Sequence, residues 1–154
     1  MFECRVRSAA IEDLSAVYSI EEEIFDTYAY PSFFFRQAYE VFGDLFCVAE
    51  DFAGKIVGYV LASLQSGSSE GWLLSLAVKK EYRHRGIATK LMKKVLHTLS
   101  NRGTKCVYLT VEPGNREAIK TYQNLGFHEI RTAADYFGDG EARIVMKVDI
   151  NHVL

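Results

Sequence analysis

The chain has 154 residues, 49% of them hydrophobic and 25% charged, and a net charge of −2, the size and balance of one globular domain spanning residues 1–154. That charge excludes a protein that binds nucleic acid through its overall field, so any anion site has to be local. No apolar run approaches the roughly 18 residues of a membrane span, and the start "MFECRVRSAAIEDL" lacks the apolar core of a secretory leader. Cys4, Cys47 and Cys106 are odd in number and unclustered, which fits reduced thiols in a cytoplasmic protein and neither a disulfide framework nor a zinc site. His84, His97, His128 and His152 fall in four separate elements with no ligand spacing, so no metal is expected.

In chain order, "CRVRSA" predicts a short strand. Ser8 is placed to cap a helix from Ala9 to about Ile24, with Ile11, Leu14, Val17, Tyr18 and Ile20 on its apolar face. The aromatic run "FDTYAYPSFFFRQAYEVFGD" follows, and Pro31 suits the first turn of a second helix. Phe33, Phe34 and Phe35 read as core packing. "LFCVAED" and "KIVGYVLASL" predict strands joined by a turn at Gly54. "WLLSLAVKK" is apolar at nearly every residue, which predicts a strand buried on both faces. Ile87, Leu91, Val95 and Leu99 recur every four residues, marking a helix packed on the sheet and stopped near Gly103. "CVYLTVEP" is the next strand. A helix capped by Asn115 and ended by Gly126 follows, with Ala118, Ile119, Tyr122 and Leu125 inward. "FHEIRTAADYF" and "ARIVMKVDI" are the last strands. The order β-α-α-β-β-β-α-β-α-β-β predicts an α/β (α+β) fold: a mixed, mostly antiparallel seven-stranded sheet with helices on both faces. The strand-helix-strand crossover imposes one parallel pair.

The stretch "EYRHRGIATKLMKKVL" joins a buried strand to a helix through a basic loop. A helix N-terminus offers unpaired amides and the positive end of the macrodipole. Gly86 lets the backbone approach a ligand, and Arg83, His84 and Arg85 add charge. The combination points to a phosphate cradle. The competing reading is a charged surface turn, although basic residues there oppose the dipole. The patterns GxxxxGK[ST] and GxGxxG are absent, which argues against nucleotide triphosphatases and dehydrogenases.

Arg83-x-x-Gly86-x-Ala88 matches the (Q/R)xxGx(G/A) motif, and "SLAVKKEYRHRGIATKLM", "GKIVGYVLA", "NREAIKTYQNLGF" and "YFGDGEARIVM" follow in the expected order. From Val6 to Asp149 the chain resembles the GCN5-related N-acetyltransferases (GNAT). Within that superfamily it resembles the ribosomal-protein alanine acetyltransferase and the archaeal and eukaryotic catalytic N-terminal acetyltransferase subunits. The resemblance implies a V-shaped splay between the central strands and acetyl coenzyme A as the donor. The pyrophosphate would lie on the amides of Arg85, Gly86, Ile87 and Ala88, near Thr89, with Arg83 and His84 beside it. The pantetheine arm would lie along Leu76, Ala77 and Val78, with Asn115 in contact. Tyr122, in "TYQNLGF", would touch the cofactor and protonate the leaving thiolate, and an amide near Val78 would polarise the thioester carbonyl.

The resemblance also exposes a departure. Where the ribosomal-protein enzymes carry a glutamate twelve residues before the tyrosine, this chain has Thr110, and a hydroxyl is no base near neutral pH. Glu112, roughly 7 Å further along the strand, could act through a water; Glu23 and Asp26 are other candidates. For the acceptor, the resemblance implies a slot formed by two aromatic loops, with Asp26, Tyr28, Tyr30 and Tyr136 as contacts. The expected activity is transfer of acetyl to the α-amine of a protein N-terminus, with the ribosome or an auxiliary subunit as a further partner. The alternatives are a polyamine-type acetyltransferase, left open by Glu21, Glu22, Glu23 and Asp26, and a non-catalytic acetyl coenzyme A-binding regulatory domain.

Overall fold

The computed structural model describes residues 3–152. Its elements are β1 (Arg5–Ser8), α1 (Leu14–Phe25), α2 (Ser32–Phe42), β2 (Phe46–Glu50), β3 (Ile56–Leu64), β4 (Glu70–Val78), α3 (Ile87–Asn101), β5 (Cys106–Val111), α4 (Arg116–Asn124), β6 (His128–Ala133) and β7 (Arg143–Asp149). The expected order of helices and strands is the observed one. The strands form a seven-stranded sheet in the order β1-β2-β3-β4-β5-β7-β6. The pairs β1–β2, β2–β3, β5–β7 and β6–β7 are antiparallel, while β4 and β5, joined through α3, run parallel. Their parallel ladder covers Glu70–Cys106, Gly71–Val107 and Trp72–Tyr108.

The chain packs as two compact units: the part up to Ser63 with Leu74–Thr98, and Leu64–Leu73 with the part from Leu99 onward. In the first, Val17 and Ile20 of α1, Phe35 and Ala38 of α2, Phe46 and Val48 of β2, and Tyr59 and Leu61 of β3 form one buried cluster. The rings of Phe35 and Tyr59 meet edge to face at 5.6 Å, a geometry that favours aromatic pairs. Successive strand residues face opposite ways. Gly58 accordingly looks away from that cluster, toward Leu91 of α3, so β3 is covered by helices on both faces. In the second unit β5 pairs with β7 along its whole length, from Cys106–Asp149 to Val111–Ile144. Tyr122 of α4 packs against Phe127 with ring centroids 5.9 Å apart.

Four local expectations are corrected. Ser8 ends β1 and caps nothing. The chain first makes a 3-10 turn at Ile11–Asp13, and Asp13 stands at the N-cap of α1. The Asp13 carboxylate accepts from the Ala10 amide at 2.7 Å and from Arg7 at 2.6 and 3.0 Å, a stronger set of partners than a serine hydroxyl could gather. This delayed start leaves Ile11 exposed. Phe33 is also exposed, at 70%, whereas Phe35 is fully buried and Phe34 stacks on Tyr30 at 4.4 Å; three consecutive helix positions cannot share one inward face. β4 is not equally buried on both sides, because Gly71, Leu73, Ser75 and Ala77 are buried while Trp72, Leu74 and Leu76 are half-buried.

Arg7 also bonds Glu50 of β2 at 3.0 Å, so its guanidinium ties β1, the 3-10 turn and β2 together. Bonds to Asp13 and then Glu50 raise the Arg7 pKa. Burial pushes Asp13 upward, but the Arg7 guanidinium and the Ala10 amide outweigh it and hold the carboxyl below its usual value. A lowered carboxyl contributes stability that is complete above the unfolded-state value near 4 and fades as pH falls below it. Urea unfolding should therefore find Asp13→Asn less stable by about 1–3 kcal/mol at pH 7. The difference should shrink between about pH 5 and pH 2, and equal midpoints at pH 7 would rule this network out as a stabilising element.

Candidate active site

The site is built first from the passage between β4 and α3. At the strand end the Lys79 amide donates to the Val57 carbonyl at 2.9 Å, holding β4 on β3. A Cβ on Gly58 would lie 3.0 Å from the Ala77 carbonyl oxygen and 3.2 Å from Val78 Cγ2, so a glycine in β3 is what lets the Leu76–Val78 strand end sit this close. Lys80–Tyr82 then make a 3-10 turn. His84 (φ 62°) and Gly86 (φ 78°) both take left-handed backbone, one residue on each side of Arg85. Alternation of this kind turns successive amides toward one concavity, an anion-binding arrangement.

The basic residues are held in place. The Arg85 guanidinium lies 5.3 Å from the centroid of the Tyr82 ring and the Lys55 ammonium 5.7 Å from it, and the Tyr82 hydroxyl donates to Asp51 at 3.4 Å. Arg83 Nε donates to the Val78 carbonyl at 3.4 Å. Ile87 then opens α3, and the four-residue stripe Ile87, Leu91, Val95 and Leu99 is buried as the periodicity requires. The Lys90 amide bonds the Gly86 carbonyl at 3.0 Å. The amides of Ile87, Ala88 and Thr89 precede that first helical bond and have no carbonyl one turn back. No heavy atom lies within 4 Å of where a Gly86 Cβ would stand. Packing does not require the glycine; the left-handed backbone does, and it leaves the amides open to a ligand.

In the second unit, Asn115 caps α4, its Oδ1 accepting from the Ala118 amide at 3.1 Å. The cap uses the side-chain oxygen and leaves the amide nitrogen as a donor. Tyr122 is 7% exposed, and burial pushes its hydroxyl well above the usual tyrosine value, so it holds its proton across the neutral range. Thr110 is half-buried in β5 opposite Val145. Glu112 lies one residue past the strand and is exposed, with its carbonyl accepting from the Asn115 amide at 3.0 Å. The alternation of β5 therefore stops short of Glu112, which was expected on the face of Thr110. Likewise β6 ends at Ala133, so Tyr136 stands in a turn and not in the strand expected to run through Phe137. It is half-buried and meets Phe137 edge to face at 4.9 Å.

Of the other acceptor candidates, Asp26 ends α1 with a left-handed backbone (φ 49°) and is exposed, as is Glu23. Tyr28 is 64% exposed, and Tyr30 is half-buried against Phe34. A group that the sequence reading named only among four acidic residues lies beneath this loop. Glu21 is buried, and its carboxylate accepts from the Tyr59 hydroxyl, from Ser75 at 3.4 Å and from the Tyr30 amide at 2.9 Å. The signal was available: Glu21 follows Val17 by four residues and so shares the buried stripe of α1. Among the thiols, burial pushes Cys47 up to about 11, which leaves it protonated and a poor nucleophile.

A model of the Acetyltransferase (GNAT) family matches residues 9–127, and the chain belongs to that family. It is an acetyltransferase that takes its acetyl group from acetyl coenzyme A. The N-alpha-acetyltransferase of Sulfurisphaera tokodaii is 30% identical, over 94% of this chain and 92% of its own. The N-alpha-acetyltransferase daf-31 of Caenorhabditis elegans is 32% identical, over 94% and 82%. Among solved structures, Naa20 of Chaetomium thermophilum in complex with a bisubstrate analogue superposes with a TM-score of 0.85 at 25% identity, covering 96% of this chain and 87% of that one.

Gly54 offers a control for the cradle, since its φ of 80° and its empty surroundings match those of Gly86. A left-handed alanine costs roughly 1–2 kcal/mol at either position. Titration calorimetry should find coenzyme A bound about tenfold more weakly by Gly86→Ala and unchanged by Gly54→Ala. Equal affinities for the two variants would place the pyrophosphate elsewhere.

Proposed function

We propose that residues 1–154 act as one protein N-terminal acetyltransferase domain, passing acetyl directly from acetyl coenzyme A to the α-amine of a polypeptide. What carries this reading is similarity to N-alpha-acetyltransferases of archaea and animals over nearly the whole chain. The amides of Arg85, Gly86, Ile87 and Ala88, with Thr89 and His84 near, hold the pyrophosphate, and Arg83 and Arg85 add local charge. Leu76, Ala77 and Val78 align the pantetheine arm, with Asn115 as a further donor to it. Bound acetyl coenzyme A supplies the activated thioester.

Tyr122 supplies a proton to the departing sulfur. A thiol near 8.5 is more acidic than a tyrosine near 10, and burial raises Tyr122 further. Tyr122 would therefore act through a hydrogen bond that strengthens as charge gathers on sulfur, and the proton the amine gives up as the amide forms would balance the one the thiolate takes. No cysteine intermediate is needed, which agrees with the protonated state of Cys47.

The missing carboxylate at Thr110 favours α-amines. An α-amine titrates near 7.7–8.0, so deprotonating it at pH 7 costs about 1–1.4 kcal/mol, whereas a lysine near 10.4 costs about 4.6 kcal/mol. A weak base suffices for the first, and Glu112 through a water, or Glu23 or Asp26, serves that role. Asp26, Tyr28, Tyr30 and Tyr136 receive the first residues of the acceptor. No helix among the described residues is long and apolar enough to cross a membrane. We place the reaction in the cytoplasm, on nascent or finished chains, with an auxiliary or ribosomal partner delivering the acceptor.

Mass spectrometry after incubation with acetyl coenzyme A and a library of peptide N-termini should detect Nα-acetyl products. Preference for spermidine over every peptide would favour the polyamine reading, and cofactor binding without turnover of any amine the regulatory one. Tyr122→Phe should lower kcat about 100-fold while coenzyme A affinity stays within about threefold. An unchanged kcat would remove Tyr122 from the chemistry.

A further inference from the structure

We propose that Glu21 is a positioning residue for the acceptor side of the reaction, coupling the loop Asp26–Pro31 to the sheet through the two oxygens of one buried carboxylate. The inference rests on the N-terminal acetyltransferase reading for the choice of acceptor.

Glu21 lies in the last turns of α1 and is 1% exposed. Its Oε1 faces the sheet, where it accepts from the Tyr59 hydroxyl of β3 and, at 3.4 Å, from the Ser75 hydroxyl of β4. Those two hydroxyls also bond each other at 2.6 Å. Its Oε2 points the other way and accepts from the Tyr30 amide at 2.9 Å. All three donors are neutral. A buried carboxylate without a cation is costly. Burial indeed pushes Glu21 above its usual value, against the pull of Tyr59, Tyr30 and Ser75. Simple filling of the core would be served better by a leucine.

What a carboxylate offers here is two acceptor atoms on opposite sides. One is fixed to β3 and β4, and the other holds a loop that has just left its helix. Asp26 breaks α1 with a left-handed backbone, and Asp26–Tyr28 make a single 3-10 turn. Tyr28 then projects 64% exposed, and Tyr30 stacks on Phe34. Only Ala29 separates Tyr28 from the tethered Tyr30 amide, so the bond to Glu21 sets where both tyrosines can stand. Ser75 precedes the Leu76–Val78 strand end by one residue, which brings the loop and that strand end to a common anchor.

Glutamine at position 21 keeps one carbonyl oxygen for the Tyr30 amide and turns its NH2 toward Tyr59, whose hydroxyl can accept while donating to Ser75. Leucine keeps neither bond. Glu21→Leu should therefore raise the acceptor-peptide KM about tenfold, the equivalent of one hydrogen bond to a charged group. Its kcat at saturating peptide and its coenzyme A affinity should stay within about twofold, and Glu21→Gln should restore most of the KM. In the unmodified protein, the Tyr30 amide should exchange with deuterium at least about tenfold more slowly than that of Thr27, a measurement that does not depend on Glu21→Leu folding.

A folded Glu21→Leu with wild-type KM would overturn the proposal, as would equal losses in kcat, KM and coenzyme A affinity, the mark of general damage. A Tyr30 amide exchanging as fast as that of Thr27 would overturn it as well. If the wild type acetylates no peptide, the functional reading fails by itself. The KM comparison then moves to whichever amine is acetylated, and the exchange result still decides the tether.

Discussion

The turn from Lys79 to Gly86 has to end a strand, start a helix and leave the first amides of that helix facing outward. These demands meet in two left-handed residues, His84 and Gly86, with Arg85 between them. With ordinary right-handed backbone at both, the chain would lead differently into α3 and the amides would not converge. Much of the first unit follows from this constraint. Gly58 has to lack a side chain so that the strand end can seat. The stripe Ile87, Leu91 and Val95 has to be apolar so that α3 stays where the turn puts it.

The basic residues of this turn give a chain of net charge −2 a local concentration of positive charge. Arg85 is spread over the Tyr82 ring, and Arg83 reaches back to the Val78 carbonyl. Both charges are thereby concentrated at the helix N-terminus instead of being dispersed in solvent, and a local field matters more to a bound anion than the molecular total.

Asp13 and Glu21 are both buried carboxylates of the first unit, yet they are perturbed in opposite directions. Asp13 faces a guanidinium, which favours its charged form. Glu21 faces two hydroxyls and an amide, which cannot offset the loss of water. The first arrangement suits a permanent structural tie between β1, a turn and β2. The second spends stability on holding one backbone amide of the Asp26–Pro31 loop.

Periodicity and turn chemistry made the element order legible, along with the Asn115 cap, the turns at Gly54, Gly103 and Gly126, and the left-handed Gly86 before α3, because each depends on neighbours in sequence. Ordered motifs then pointed to the acetyltransferase family. Part of what the sequence reading missed was still local. Ser8 lost the cap because Arg7 and Ala10 satisfy Asp13 better, and β5 stopped one residue before Glu112. Glu21 could be placed on the apolar stripe of α1 from its spacing to Val17. Its significance needed Tyr59 and Ser75, which follow it by 38 and 54 residues. By itself the sequence determined which elements form and where the chain turns between them, since helices, caps and left-handed glycines are short-range consequences of residue type. Only the tertiary structure decided which polar groups share a buried space, because the cost of burying a charge depends on atoms that the chain brings together only when it folds.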